Sequence, residues 1–353
     1  MWKPLYERFG VHIDFAWRTF KWESEAIMKA AVHVVIVGFS CGGNKRNNII
    51  YLNDGTFEQA TIVNPYLLSA PVTFVESKNK SLCAVPEMIY GNKPTDGGNL
   101  FLNKEERDLI VEKDPVAAKY IKQIYGATEF INNKLRYCLW LVDASPADIR
   151  KSAFLADRVS KVRSFRLASP KRATKDSADT PSLFQEVRQP NSDYVIVPCH
   201  SSENRNYIPI GFETSEVIVT NAVQIIPNAN LYHFGVLTSN VHMVWMRAVA
   251  GRLEMRYRYS KDIVYNNFPW CEPTEAQRAK IEKTAQGILD ARALYPDSSL
   301  ADLYDVKSMK PELLKAHKAN DRAVMEAYGF SKNMSESEIV AELMKMYQKL
   351  VEE

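Results

Sequence analysis

No two of the five cysteines (Cys41, Cys83, Cys138, Cys199, Cys271) stand in a Cys-x-x-Cys pair. Their odd number and wide scatter argue against a disulfide framework or a zinc ribbon and fit a reducing cytoplasm. No apolar run reaches the ~18 residues that a membrane helix needs, and the N-terminal MWKPLYERFG lacks the apolar core of a signal peptide. The chain therefore reads as neither exported nor membrane-spanning. His-Glu-x-x-His and a glycine-rich phosphate loop are both missing, as is any metal-like cluster of His, Cys and Asp. No heptad seam or internal repeat is found. These absences leave no catalytic constellation legible in the chain.

What is present is an ordinary globular composition, 353 residues with 46% hydrophobic and 25% charged, enough for two or three domains. The net charge of +3 says little, but its distribution says more. Between Arg150 and Lys175 stand nine basic residues and one acidic residue, Asp157. Such a patch attracts a polyanion, and binding through it falls as salt rises. Arg158, Lys161, Arg163 and Arg166 are its candidates for contacts to a DNA backbone. A solvated helix face has the same composition, as does a module that docks an acidic protein partner.

Residues 22–31 read as a helix, and Val32 to Phe39 as a strand buried on both faces. No series of βαβ units follows to build its sheet, so the chain is expected to begin inside a domain whose bulk precedes it. Residues 38–48 have the composition of an exposed loop. Short strands are expected at IIYL, TFEQATI, PVTFV and PEMIYG, two short helices over 104–124, and a buried strand over Leu135 to Val142. The basic helix that follows has an inner side of Ile149, Leu155, Val159, Val162 and Phe165. Strands at DYVIVP, NYIPIG, EVIVT and AVQIIP precede one amphipathic helix over Leu231 to Val249. Beyond Trp270, patterns at 275–294, 311–328 and 336–352 predict a separate helical unit. The fold class is α+β, rich in hairpins.

The most informative stretch is Leu253 to Tyr259, whose alternation sends Glu254, Arg256 and Arg258 to one face of a strand and Met255, Tyr257 and Tyr259 to the other. The charged teeth are spaced about 7 Å apart. Arginine donates in pairs to guanine and a carboxylate accepts from the cytosine amino group, so this row has the chemistry to distinguish base edges. A solvated sheet face with a cross-strand ion pair is the alternative, and the commoner use of such a strand taken alone. Tyr257, Tyr259, Tyr265, Phe268 and Trp270 either fill a core or stack on unpaired bases, as an RNA-binding protein would use them. Asn266-Asn267 reads as an adenine contact or as a turn. Cys199-His200 reads as a packed cysteine beside a surface histidine, and His33 and His242 as core or boundary residues. Asn64-Pro65-Tyr66 lacks the second proline of the Asn/Asp-Pro-Pro-Tyr motif of amino methyltransferases, and reads as a turn.

Several collinear stretches from about Val11 to Phe330 resemble the large single-chain restriction and modification enzymes of the MmeI type and related adenine-specific DNA methyltransferases. FAWRTFKWESEA (15–26) and VHVVIVGF (32–39) look like the last motif and last strand of the catalytic domain. NPYLL (64–68), GNKPTDGGNL (91–100), EFINNKLRYCLWL (129–141), SSENRNYIPIGF (201–212) and the run from Ile226 to Trp270 look like the target recognition domain. LLKAHKANDRAVMEAYGF (313–330) is similar to the helical C-terminal segment. The resemblance implies three parts: 1–40, the end of the α/β methyltransferase sheet; 41–270, the DNA target recognition domain; and 271–353, a small helical domain. It further implies an S-adenosylmethionine-dependent DNA adenine methyltransferase that flips its target base from double-stranded DNA. The cofactor and catalytic motifs are expected upstream in the parent, so this chain is expected to be a fragment that binds no cofactor and does not methylate DNA alone. It is expected to pair with that missing N-terminal portion. Carried over by local motif, the family's base-reading positions fall on Glu254, Arg256, Arg258 and Ala222.

Overall fold

The computed structural model describes residues 2–22, 33–42, 48–52, 54–253 and 256–352. Helix α1 (Trp2–Phe9) leads into a sheet of β1 (Val11–Lys21), β2 (His33–Cys41), β3 (Asn48–Tyr51) and β4 (Phe57–Ala60), ordered β2-β1-β3-β4. The following region holds β5 (Ile89–Tyr90), β6 (Phe101–Leu102), α2 (Lys104–Lys113), α3 (Pro115–Ala118), β7 (Ile121–Tyr125), α4 (Ala127–Asn132) and β8 (Tyr137–Leu139). Next come α5 (Pro146–Lys151), α6 (Ala153–Leu167), α7 (Arg172–Asp176), β9 (Tyr194–Pro198), β10 (His200–Ser201), β11 (Gly211–Glu213), β12 (Ile218–Val219) and β13 (Val223–Pro227). Helices α8 (Leu231–Leu237) and α9 (Asn240–Val249) precede β14 (Gly251–Leu253), β15 (Arg256–Arg258) and a π-helical turn, Lys261–Tyr265. The chain closes with α10 (Glu275–Ala293), α11 (Leu300–Leu303), α12 (Pro311–Ala327) and α13 (Glu336–Glu352). Three further small sheets are ordered β11-β9-β13-β5, β12-β7-β8-β6 and β10-β15-β14. The mixed α+β class read from the sequence stands. Among the described residues no helix is long and apolar enough to cross a membrane, and no group of three His, Cys, Asp or Glu residues could hold a metal.

Several local expectations change. The helix over 22–31 lies outside the described residues except for Trp22, as does the centre of the 38–48 loop, whose ends are strand. The strand at 33–41 forms, but at the sheet edge beside β1, with Val35, Ile36 and Phe39 all about half exposed. Burial of both faces requires cover on both, and the described residues supply little there. PVTFV makes no ladder, because the carbonyls of Val72 and Phe74 accept from the side chains of Gln348 and Tyr347 on α13. NYIPIG contributes only Gly211 to a strand. The helix expected over 231–249 is broken at Thr238-Ser239, where the Ser239 hydroxyl caps α9 and Asn240 N donates to Asp321 Oδ1 at 2.7 Å.

The basic helix is likewise two helices, split at Ser152, whose hydroxyl accepts from Leu155 N and so caps α6. Leu155 and Val162 face inward, but Arg166, not Phe165, continues that face. Spacings of seven and four residues place 155, 162 and 166 on one side of a helix, and 165 falls off it. Phe165 is instead 45% exposed, its ring lying against Gly97, where an added Cβ would come within 2.7 Å of it.

The helical C-terminus shares its core with the region before it. One hydrophobic core runs from Val195 and Trp245 through Phe268 into Ile281, Leu313, Val324, Leu343 and Tyr347. Helix α8 packs on α10 so closely that a Cβ on Gly235 would sit 2.7 Å from Ile281 Cγ2, and Asn320 Nδ2 donates to the Gly235 carbonyl at 2.7 Å. The composition changes at residue 270, but the core does not stop there.

Candidate nucleic-acid interface

The charged segment is a hairpin, not one strand. β14 pairs antiparallel with β15 in the register Gly251↔Arg258, Arg252↔Tyr257 and Leu253↔Arg256, and β15 pairs on its other side with β10, His200↔Arg258 and Ser201↔Tyr257. The alternation read from the sequence holds within β15: Arg256 and Arg258 are exposed, whereas Tyr257 and Tyr259 are buried. Glu254 and Met255 lie outside the described residues. Directly opposed residues share a face, so Leu253, Arg256, Arg258 and His200 line one side of this small sheet, and Arg252, Tyr257 and Ser201 the other. On that second side the Arg252 guanidinium lies 3.9 Å over the Tyr257 ring.

The base of the hairpin is held by buried polar contacts. Tyr259 N donates to the Cys199 carbonyl at 2.8 Å, Gln224 Nε2 donates to the Tyr259 carbonyl at 2.9 Å, and the Tyr259 hydroxyl meets His242 Nε2 at 2.9 Å. Burial holds His242 down at about 3, so its ring is neutral. A hydrogen-bonded anchor inside a packed core fixes the direction in which Arg256 and Arg258 project.

Ala222 belongs to the tight connection between β12 and β13, closed by Val223 N donating to the Thr220 carbonyl at 3.1 Å. Its own carbonyl accepts from Cys199 N, which ties this turn to the strand entering β10. The structure thereby brings Ala222 and Arg256, 34 positions apart in sequence, to one groove of about 520 Å³. Its walls include Thr128, Glu129 and Asn132 from α4, together with Arg136, His200 and Arg205. Gly126 lets α4 approach, since a Cβ there would lie 2.8 Å from the Glu129 carboxylate and 3.1 Å from Thr220 Oγ1. Burial first, then the charges of Arg258 and Arg256, hold His200 below the usual histidine range. With Arg136, Arg205 and Arg256 against one carboxylate, Glu129, the groove is cationic.

Of the four backbone-contact candidates, none lines this groove. Arg166 is fully buried, and its five N–H groups meet five carbonyls: Thr95, Ser177, Thr180, Pro94 and Leu183, at 2.7 to 3.0 Å. It ties two loops to α6 and has no donor left for a phosphate, which corrects the expectation from the basic patch. Arg158 is committed to Glu106 at 2.6 Å, and Lys161 to Asp157 at 2.7 Å along the helix. Arg163 is exposed. Charge runs report composition, whereas helix geometry decides which members reach solvent.

Other candidates resolve into structural roles. Asn266 and Asn267 are buried, with their amides donating to the carbonyls of Lys78, Glu76, Asp262 and Ile263. Asn64 is buried as well; its Oδ1 accepts from Tyr66 N and Leu68 N, so it forms a turn and does not fit a base-handling role. Sequence reasoning placed His200 only as a surface residue and overlooked Arg136 and Arg205. A two-residue strand has no periodicity to read, and an isolated arginine in SSENRNY gives no signal.

Comparison with known proteins gives family matches in chain order. The model of the MmeI DNA-methyltransferase domain matches residues 1–52, that of the MmeI target recognition domain residues 69–272, and that of the MmeI C-terminal domain residues 273–353. DNA methyltransferase A of Bacillus subtilis (strain 168) is 37% identical over 352 residues, covering 100% of this chain and 40% of its own length. A solved structure of the type IIL restriction-modification enzyme MmeI in complex with DNA is 44% identical with a TM-score of 0.92, covering 99% of this chain and 47% of that one. The chain thus spans less than half the length of each of these relatives.

Proposed function

The chain belongs to the MmeI family of restriction-modification enzymes, and from that premise we propose that it reads a specific sequence in double-stranded DNA for an S-adenosylmethionine-dependent adenine methyltransferase. The observation that carries the reading is that Arg256 and Arg258 share one face of an anchored small sheet and that Arg256 lines one groove with Ala222. A two-stranded ribbon fits the major groove, and guanidinium groups projecting from it can donate in pairs to guanine O6 and N7. Glu254 joins them as a base-reading residue through the family motif. Arg163 retains a proposed phosphate contact.

On this reading the cofactor and the transferred methyl group belong to the methyltransferase domain, whose family model residues 1–52 match, and Asn64 is left to its own turn. The apolar edge strand β2, with Val35, Ile36 and Phe39 half exposed, supports a role as a sheet edge on which methyltransferase-domain residues pack.

The chain is expected to bind duplex DNA with an affinity that falls steeply with salt. Replacing Arg256 or Arg258 by alanine is expected to remove discrimination at one base pair, about 1–3 kcal/mol each. Competition by a panel of single-base duplex variants measures this directly. Equal weakening on every duplex would assign the two arginines to phosphates instead.

A further inference from the structure

Arg205 occupies an unusual position in the recognition groove. It lies in the turn that leaves β10, where Arg205 N donates to the Ser202 carbonyl at 3.3 Å and Asn204 N to Ser202 Oγ at 3.2 Å. The residue is half-buried and lines the same groove as Ala222 and Arg256. Among the described residues its guanidinium makes no hydrogen bond and no ion pair. Asp305 acts on it only through its field, against the cost of burial. The neighbouring cations are engaged differently: Arg136 is paired with Glu129 at 3.2 Å and covers the Phe101 ring. A desolvated guanidinium without a partner is costly, and the cost is offset when a ligand supplies the anion.

The position of the turn identifies the anion. β15 is the central strand of β10-β15-β14, and the turn carrying Arg205 follows the edge strand one spacing away, about 4.8 Å. A major groove about 12 Å wide that takes β15 at its middle brings one phosphate wall over that edge. Resting on the reading above, we propose that Arg205 is a positioning residue that grips a backbone phosphate beside the bases met by Arg256 and Arg258, and so sets the register of the hairpin on the duplex.

The test compares the unaltered chain, Arg205→Ala and Arg205→Lys on a preferred duplex and on a scrambled one across a potassium chloride series. For Arg205→Ala the expected result is roughly tenfold weaker binding to both duplexes and a log–log salt slope reduced by about one. The preference for one duplex over the other stays unchanged. Arg205→Lys, which keeps the charge, restores the slope. A wild-type slope and affinity in Arg205→Ala would overturn the phosphate contact while leaving the DNA-reading function standing. A changed preference between duplexes would also overturn it, by making Arg205 a base reader. Absence of duplex binding by the unaltered chain would sink both.

Discussion

A chain truncated after residue 272, at the boundary of the family models, is expected to lose its cooperative fold. The cut removes Ile281, Ile288, Leu313, Val324, Leu343 and Met344, all fully buried in the core that also holds Phe234 and Trp245. Six such side chains correspond to roughly 10–20 kcal/mol of apolar burial, against a total stability of about 5–15 kcal/mol for a typical domain. The polar contacts across the boundary go with them. Asn320 no longer donates to the Gly235 carbonyl, and Asp321 no longer accepts from Tyr207 Oη and Asn240 N. Near-ultraviolet circular dichroism and a urea titration of the truncated and full chains check this. A sigmoidal transition in the truncated chain with native aromatic signal would show that the recognition region stands by itself. The consequence is functional: the helices α10 to α13 keep the hairpin presented, because its anchor His242 sits on α9, which they cover.

Replacing Arg166 by methionine is expected to lower stability by about 4 kcal/mol, read as a shift in the denaturant midpoint. The side chain fits the space approximately, so the loss reflects chemistry more than volume. Five carbonyls on residues 94–95 and 177–183 lose their donor together, and each such loss costs on the order of 1 kcal/mol. Arg163→Ala, on the exposed side of the same helix, is expected to stay within about 0.5 kcal/mol of the parent. On the function proposed above its effect is expected in DNA binding, where the salt slope is the readout. The two arginines, three residues apart, are thereby expected to separate cleanly. A loss under about 1 kcal/mol for Arg166→Met would mean that the carbonyls find other donors.

How much was legible depends on the range of the interaction. Within β15 the two-residue period put Arg256 and Arg258 outside and Tyr257 and Tyr259 inside, and the buried pair is where that pattern placed it. The same period extended across Leu253 to Tyr259 described one strand, whereas Leu253 and Arg256 are paired partners. A short polar and apolar alternation cannot reveal where the chain reverses. The apolar run at 33–41 is a strand, but its exposure depends on what lies against it. Lone residues carried least: Arg205 and His200 enter the groove through a turn and a two-residue strand that leave no pattern.

The sequence by itself determined the α+β class, the family, the inward and outward faces of β15, and the residue types able to meet base edges, because each follows from local periodicity or a contiguous motif. Only the tertiary structure decided that Ala222 and Arg256 share a groove, that Arg166 is a buried clamp, and that the C-terminal helices complete the core beneath the hairpin. Those outcomes depend on which distant surfaces meet, and the burial and pairing that result are properties of the assembled chain.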